Sequence, residues 1–308
     1  MKNQFSGYML ILLAASLWGT LGVFYKYLNS YSHLSPVEIV FWRALYASII
    51  TIIIIIFRRK DELKIQRKNL SVFLAIGIFG IAGFFIVYIY AITTIGMGVA
   101  SVLLYSAAVW VALFGFIFQG DRITKQKLIA LILALSGIVL IAGIYNFRQF
   151  RLGSLGLIAG LGSGLGYAAY IILNKRASEF GYSTWTVNAY GLGIGALVLL
   201  IFQEPSALSQ TLATPSTSFW LLMLGIIPTL GGGLAFYAGL QRIPAVNASI
   251  VATFEPVVAT TLGWLLFSEK LVPPQILGGI LVISSIMLIQ LPVKSFQAIF
   301  NFRRVDKE

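Results

Sequence analysis

Residues 244–267 read PAVNASIVATFEPVVATTLGWLLF, and Glu255 is the one ionisable side chain among those 24 positions. At 1.5 Å per residue the run makes a helix of about 36 Å, longer than the roughly 30 Å hydrocarbon core of a bilayer. A β-barrel strand would instead alternate apolar and polar residues over about 10 positions. The run therefore reads as a membrane-spanning helix. Nine more stretches read the same way: 7–28, 36–57, 70–94, 97–118, 126–144, 154–174, 184–203, 217–240 and 274–293. Composition agrees, since 58% of the 308 residues are hydrophobic and 10% charged, with a mean hydropathy of +0.90. Soluble chains carry about 25% charged residues. The expected fold is an all-α integral membrane protein of ten transmembrane helices. Lys2 ahead of the run 7–28 imitates a signal peptide, but the run is long enough to span and reads as an uncleaved first helix.

The chain holds 22 Lys and Arg against 10 Asp and Glu, an excess that would suggest nucleic acid in a soluble protein. Here the basic residues sit between the apolar runs, where they record orientation. With both termini in the cytosol, 17 fall inside: Lys2, Arg58, Arg59, Lys60, Lys64, Arg67, Lys68, Arg122, Lys125, Lys127, Lys175, Arg176, Arg242, Lys294, Arg303, Arg304 and Lys307. Four, Lys26, Arg148, Arg151 and Lys270, fall outside. The expectation is a plasma-membrane protein with cytosolic N and C termini and no nucleic-acid partner. The basic loop from Arg58 to Lys68 is most simply an orientation signal; contact with anionic headgroups is its second reading. Zero cysteines and a single His33 remove disulfides, thiolate metal sites and most histidine chemistry. No metal and no cofactor are expected. No G-x-x-x-x-G-K-[ST] loop occurs, which excludes ATP hydrolysis on this chain.

Shifted by 148 residues, Leu74–Ala142 aligns with Leu222–Gln290 without a gap, and 15 of the 69 positions are identical. Gly77 meets Gly225, Ala100-Ser101 meets Ala248-Ser249 and Gly115 meets Gly263. A shift of 149 sets Trp18 on Tyr167 and Lys26 on Lys175. The chain divides into a first five-helix repeat, 1–146, a second, 147–293, and a basic tail, 294–308. Five is odd, so the second repeat crosses the membrane inverted, the architecture of secondary transporters with a site near the midplane.

Several fragments now form an ordered set. They are Leu17-Trp18-Gly19 with Lys26, Pro36 with Arg43, Gly120-Asp121-Arg122-Ile123-Thr124, Phe254-Glu255-Pro256-Val257-Val258 and Phe267-Ser268-Glu269-Lys270-Leu271. The set resembles the drug/metabolite transporter superfamily, EamA type. The first repeat departs from it with Ala108 where the second has Pro256, which leaves a symmetric kink in helix 4 open. The resemblance implies export or exchange of small metabolites, often amino acids or drug-like compounds.

Glu255 lies about 16 Å into its run, near the bilayer centre, where a bare carboxylate costs at least about 2.5–3.5 kcal/mol. It needs a partner, a helix N-terminus or a proton. Arg43 is at similar depth, and the two either neutralise one another or bracket a zwitterion, guanidinium to carboxylate and Glu255 to ammonium. Trp18, Tyr88, Tyr105, Trp110, Tyr167 and Tyr237 lie deep in spans and are expected to face the bundle interior. They complete the candidate substrate-binding set with Glu255 and Arg43. Pro228 followed by Gly231, Gly232 and Gly233 is expected to kink or break helix 8, and with Pro256 forms the candidate gating set. Gly156, Gly160 and Gly164, like Gly191 and Gly195, recur every fourth residue and read as helix-packing faces.

The function expected is a secondary transporter of small organic metabolites such as amino acids, working by alternating access around a cavity between the repeats. It is driven by a substrate gradient alone or with proton coupling, and is compatible with a homodimer. Proton-coupled efflux of amphipathic drug-like compounds is the alternative. An intramembrane enzyme lacks convergent catalytic groups, and a receptor or assembly factor has no use for an inverted repeat.

Overall fold

A computed structural model describes residues 2–32, 34–119, 123–144, 153–292 and 296. Gly120, Asp121 and Arg122, the positions Arg148 and Arg151, His33 and nearly all of the tail 294–308 lie outside them. The described residues are helical, with no strand among them. Eight helical stretches are long and apolar enough to cross a membrane: Asn3–Leu28, Pro36–Arg58, Arg67–Ile95, Met97–Phe118, Ser154–Glu179, Pro215–Leu240, Ala245–Phe267 and Pro273–Gln290. In chain order these are helices 1, 2, 3, 4, 6, 8, 9 and 10. Helices 5 and 7, Lys125–Ile141 and Thr184–Leu200, are 17 residues each. Helix 5 packs on helix 10, and helix 7 on helix 2. A short helix, Pro205–Ala213, interrupts the connection between helices 7 and 8 and had no signal in the hydropathy.

Local chemistry fixes the helix ends. Helix 2 starts at Pro36 behind the N-cap Ser35, whose hydroxyl accepts from Glu38 N while Glu38 returns a carboxylate to Ser35 N, a reciprocal capping box. Thr124 and Ser183 cap helices 5 and 7. Helices 5 and 10 cross where neither residue has a side chain. A Cβ on Gly137 would lie 2.6 Å from Gly278 O, so only glycine permits the approach. Gly156, Gly160 and Gly164 press helix 6 onto Thr94, Leu103 and Ser106, the packing role their spacing announced.

Three helices are broken, and two of the breaks, in helices 4 and 9, obey the repeat. Helix 4 stops at Tyr105 and restarts at Ala107; helix 9 stops at Ala252 and restarts at Glu255, 148 positions on from Ala107. Both use the same device without needing proline. At each break a hydroxyl bonds a carbonyl three residues back, Ser106 Oγ to Leu103 O and Thr253 Oγ1 to Ile250 O, each at 2.6 Å. The question that Ala108 left open is thereby answered, since helix 4 turns where helix 9 does. Helix 1 breaks at Thr20, whose hydroxyl bonds Leu17 O at 2.6 Å.

Helix 8 does not break at its proline. It widens into a π-helical segment, Gly225–Gly231, and continues as Gly232–Leu240. Pro228 has no N–H for Leu224 O, and Thr229 Oγ1 reaches that carbonyl at 2.8 Å. Helix 3 has the matching π segment, Ile76–Gly83, with no proline at all. Gly77 and Gly83 stand 148 positions before Gly225 and Gly231.

Candidate functional site

Glu255 occupies the first turn of the 13-residue half-helix Glu255–Phe267. A helix thus begins at membrane depth, and the partial positive charge of its N-terminal end favours a carboxylate. Pro256 at the next position supplies a φ suited to the first turn and loses no hydrogen bond there. The Tyr105 side chain, from the last residue before the break in helix 4, lies beside the Glu255 carboxyl and acts on it. The two repeat-related breaks thus meet through one tyrosine and one glutamate.

Arg43 is 6% exposed on helix 2. Its guanidinium carbon stands 4.3 Å from the centroid of the Phe85 ring, close enough for a cation–π contact. Its charge acts on Tyr25, Glu255 and Tyr170. Among the described residues no ion pair within 4 Å joins Arg43 to Glu255, and no hydrogen bond reaches the guanidinium. The pair attracts across a gap rather than neutralising by contact.

Aromatic rings cluster around the two charges. Phe84 stacks on Tyr167 at 5.7 Å and on Tyr88 at 6.0 Å; Tyr167 stacks on Tyr170 at 6.2 Å, and Trp18 meets Tyr167 edge-on at 6.4 Å. Trp18 and Tyr167 are repeat counterparts and touch, so the cluster sits where the two halves face each other. Tyr88, Tyr105 and Tyr167 all feel the Glu255 charge. The Tyr167 hydroxyl is buried without a hydrogen-bond partner among the described residues, a group that calls for a ligand or water.

The structure thus brings together Glu255, Arg43, Trp18, Tyr88, Tyr105 and Tyr167. Tyr237 stands apart: its hydroxyl donates to Tyr182 O at 3.0 Å, in the connection between helices 6 and 7. Trp110 packs against the main apolar core with an unpartnered indole N–H, and no contact ties it to Glu255 or Arg43. Pro228 lies in the π segment, Gly232 against the Trp18 indole and Gly233 against the Asn188 side chain. Sequence reading missed Tyr25, Phe85 and Tyr170. Each was signalled by helical spacing from a residue already chosen: seven past Trp18, three before Tyr88 and three past Tyr167.

A family model described as the EamA-like transporter family matches residues 5–143 and again 154–291. The chain belongs to this family. It is a multi-pass membrane transporter and not an enzyme. A transporter of Archaeoglobus fulgidus is 30% identical over 201 residues, 65% of this chain and 70% of its own length. The inner membrane transporter YicL of Salmonella typhimurium is 27% identical, covering 94% of this chain and 97% of its own. The pseudopaline exporter CntI of Pseudomonas aeruginosa is 26% identical, covering 90% and 93%. A solved structure superposes on the EamA-like chain with a TM-score of 0.77 at 18% identity, covering 95% of it and 99% of that chain, which shows the shared fold.

Proposed function

We propose that this EamA-like chain is a secondary transporter that exports or exchanges small amino-acid-like metabolites by alternating access between its two repeats. The observation that carries the reading is the Arg43–Glu255 gap. A buried cation and a carboxylate in mid-span, not paired with each other, are costly unless something joins them. A zwitterion does so: its carboxylate takes the guanidinium and its ammonium takes Glu255, while the rings of Trp18, Tyr88 and Tyr167 cover its apolar part. A relative named for export, CntI, supports the outward direction. Helices 5 and 7 cross the membrane with the other eight, the termini face the cytosol on the count of 17 basic residues against 4, and the plasma membrane is the setting.

The test is counterflow in proteoliposomes loaded with radiolabelled amino acids. Intact amino acids should exchange, whereas the matching decarboxylated amines and N-acetyl acids should each compete at least about tenfold less well, having lost one charge-assisted contact. Equal competition by an amine and its parent amino acid would remove Arg43 from the substrate site.

A further inference from the structure

The basic loop between helices 2 and 3 is strapped onto the second repeat. Ser183 Oγ donates to the Glu62 carboxylate, Thr186 Oγ1 to Glu62 O at 2.8 Å and Tyr190 OH to Leu63 O at 2.7 Å. The Tyr182 hydroxyl accepts from Gln66 N at 3.1 Å and from Asn69 Nδ2 at 2.9 Å. Between this strap, the end of helix 2 and the start of helix 7 lies a groove of about 460 Å³ lined by Ile53, Ile54, Phe57, Arg58, Arg59 and Trp185.

The lining changes character along the membrane normal. Ile53 and Phe57 are exposed apolar residues of the last turns of helix 2, 47% and 80% exposed, at hydrocarbon depth. Arg58 and Arg59 follow at once, where hydrocarbon gives way to headgroups. Arg59 is held in place, its Nη1 2.9 Å from Glu62 Oε1 and its guanidinium carbon 5.7 Å from the Trp185 ring centroid. Among the described residues Arg58 makes no hydrogen bond or ion pair. Six Lys and Arg against two acids between Arg58 and Lys68 give the surroundings a net positive charge. Tryptophan at this level is suited to the interface.

We propose that the groove binds one anionic phospholipid, its acyl chain along Ile53 and Phe57 and its phosphate between Arg58 and Arg59. An apolar trough that ends in two guanidiniums matches a phospholipid along its length. The excess of positive charge selects an anionic headgroup over a zwitterionic one. Because helix 2 carries Arg43 and helix 7 belongs to the other repeat, the lipid ties together two elements that move apart in alternating access.

The test is native mass spectrometry of the full chain in detergent, titrated with palmitoyl-oleoyl phosphatidylglycerol or phosphatidylcholine. The wild type should retain one phosphatidylglycerol on the order of tenfold more tightly than phosphatidylcholine. Arg58→Gln with Arg59→Gln should abolish that preference, and Arg67→Gln with Lys68→Gln, on the same loop but outside the groove, should keep it. Arg58→Gln alone breaks no contact and should still weaken retention if the Arg59 variant misfolds. Glycerophosphoglycerol, which has no acyl chain, should not be retained. Equal retention of the two lipids by the wild type, equal loss in both double variants, or retention of the chainless headgroup would overturn the proposal.

Discussion

At the scale of the residue, the decisive feature is that Arg43 forms no ion pair with Glu255 while Tyr105 lies beside the carboxyl. Had Arg43 and Glu255 formed a closed pair, removing one charge would strand the other and removing both would restore the protein. With the two unpaired, the proposed function has each charge serve the substrate separately. Arg43→Gln and Glu255→Gln should therefore each cut amino-acid exchange about ten- to hundredfold, the range of a charge-assisted hydrogen bond, with the double variant no better than either. Flux in proteoliposomes for the four proteins decides it, and rescue in the double variant would restore the closed-pair view. Tyr105→Phe removes one hydroxyl from the carboxyl and should cost about tenfold in flux at unchanged expression. Glu255→Gln also removes the one acid deep within the spans, so its flux should lose dependence on pH. A wild-type pH profile in that variant would show that Glu255 couples no proton.

At the scale of the element, backbone irregularities in helices 3, 4, 8 and 9 recur at the repeat spacing, and proline accounts for only part of them. Hydroxyl-to-carbonyl bonds accompany the breaks in helices 4 and 9, and helix 3 adopts its π segment without a proline. Packing also separates three glycines that look alike in sequence. A Cβ on Gly232 would meet the Trp18 indole nitrogen at 2.5 Å and one on Gly233 would strike Asn188, whereas a Cβ on Gly231 finds only ordinary contacts at 3.4 Å. Gly231→Ala is thus the clean test of the π segment. It raises helix propensity by up to about 1 kcal/mol, and should hold or raise thermal stability while slowing exchange several-fold. Gly232→Ala should instead lower stability by about 1–3 kcal/mol through overpacking, read as a fall in Tm. Full flux in Gly231→Ala would show that the π segment of helix 8 does not move during transport.

At the scale of the whole molecule, orientation follows from charge, and reporter fusions test it. Fusion at Lys64 should report the cytosol and fusion at Glu204 the outside; the opposite pattern would invert the transporter and the direction assigned to it. The all-helical membrane fold and the two-fold repeat were legible from residues alone. Apolar run length is set by bilayer thickness, and gene-level duplication leaves identities at a constant offset, so neither needs a contact to be seen. Glu255 and Arg43 were legible for a related reason, because an ionisable group in hydrocarbon is conspicuous by its cost. What the sequence did not determine was who meets whom. That Tyr105 reaches Glu255, that Arg43 lies on Phe85 and short of Glu255, and that Tyr237 is drawn away to Tyr182 depend on how helices rotate and cross. Two helices of identical periodicity can present the same face to different neighbours. Only the close approaches at sites such as Gly137 with Gly278 fix which face turns inward.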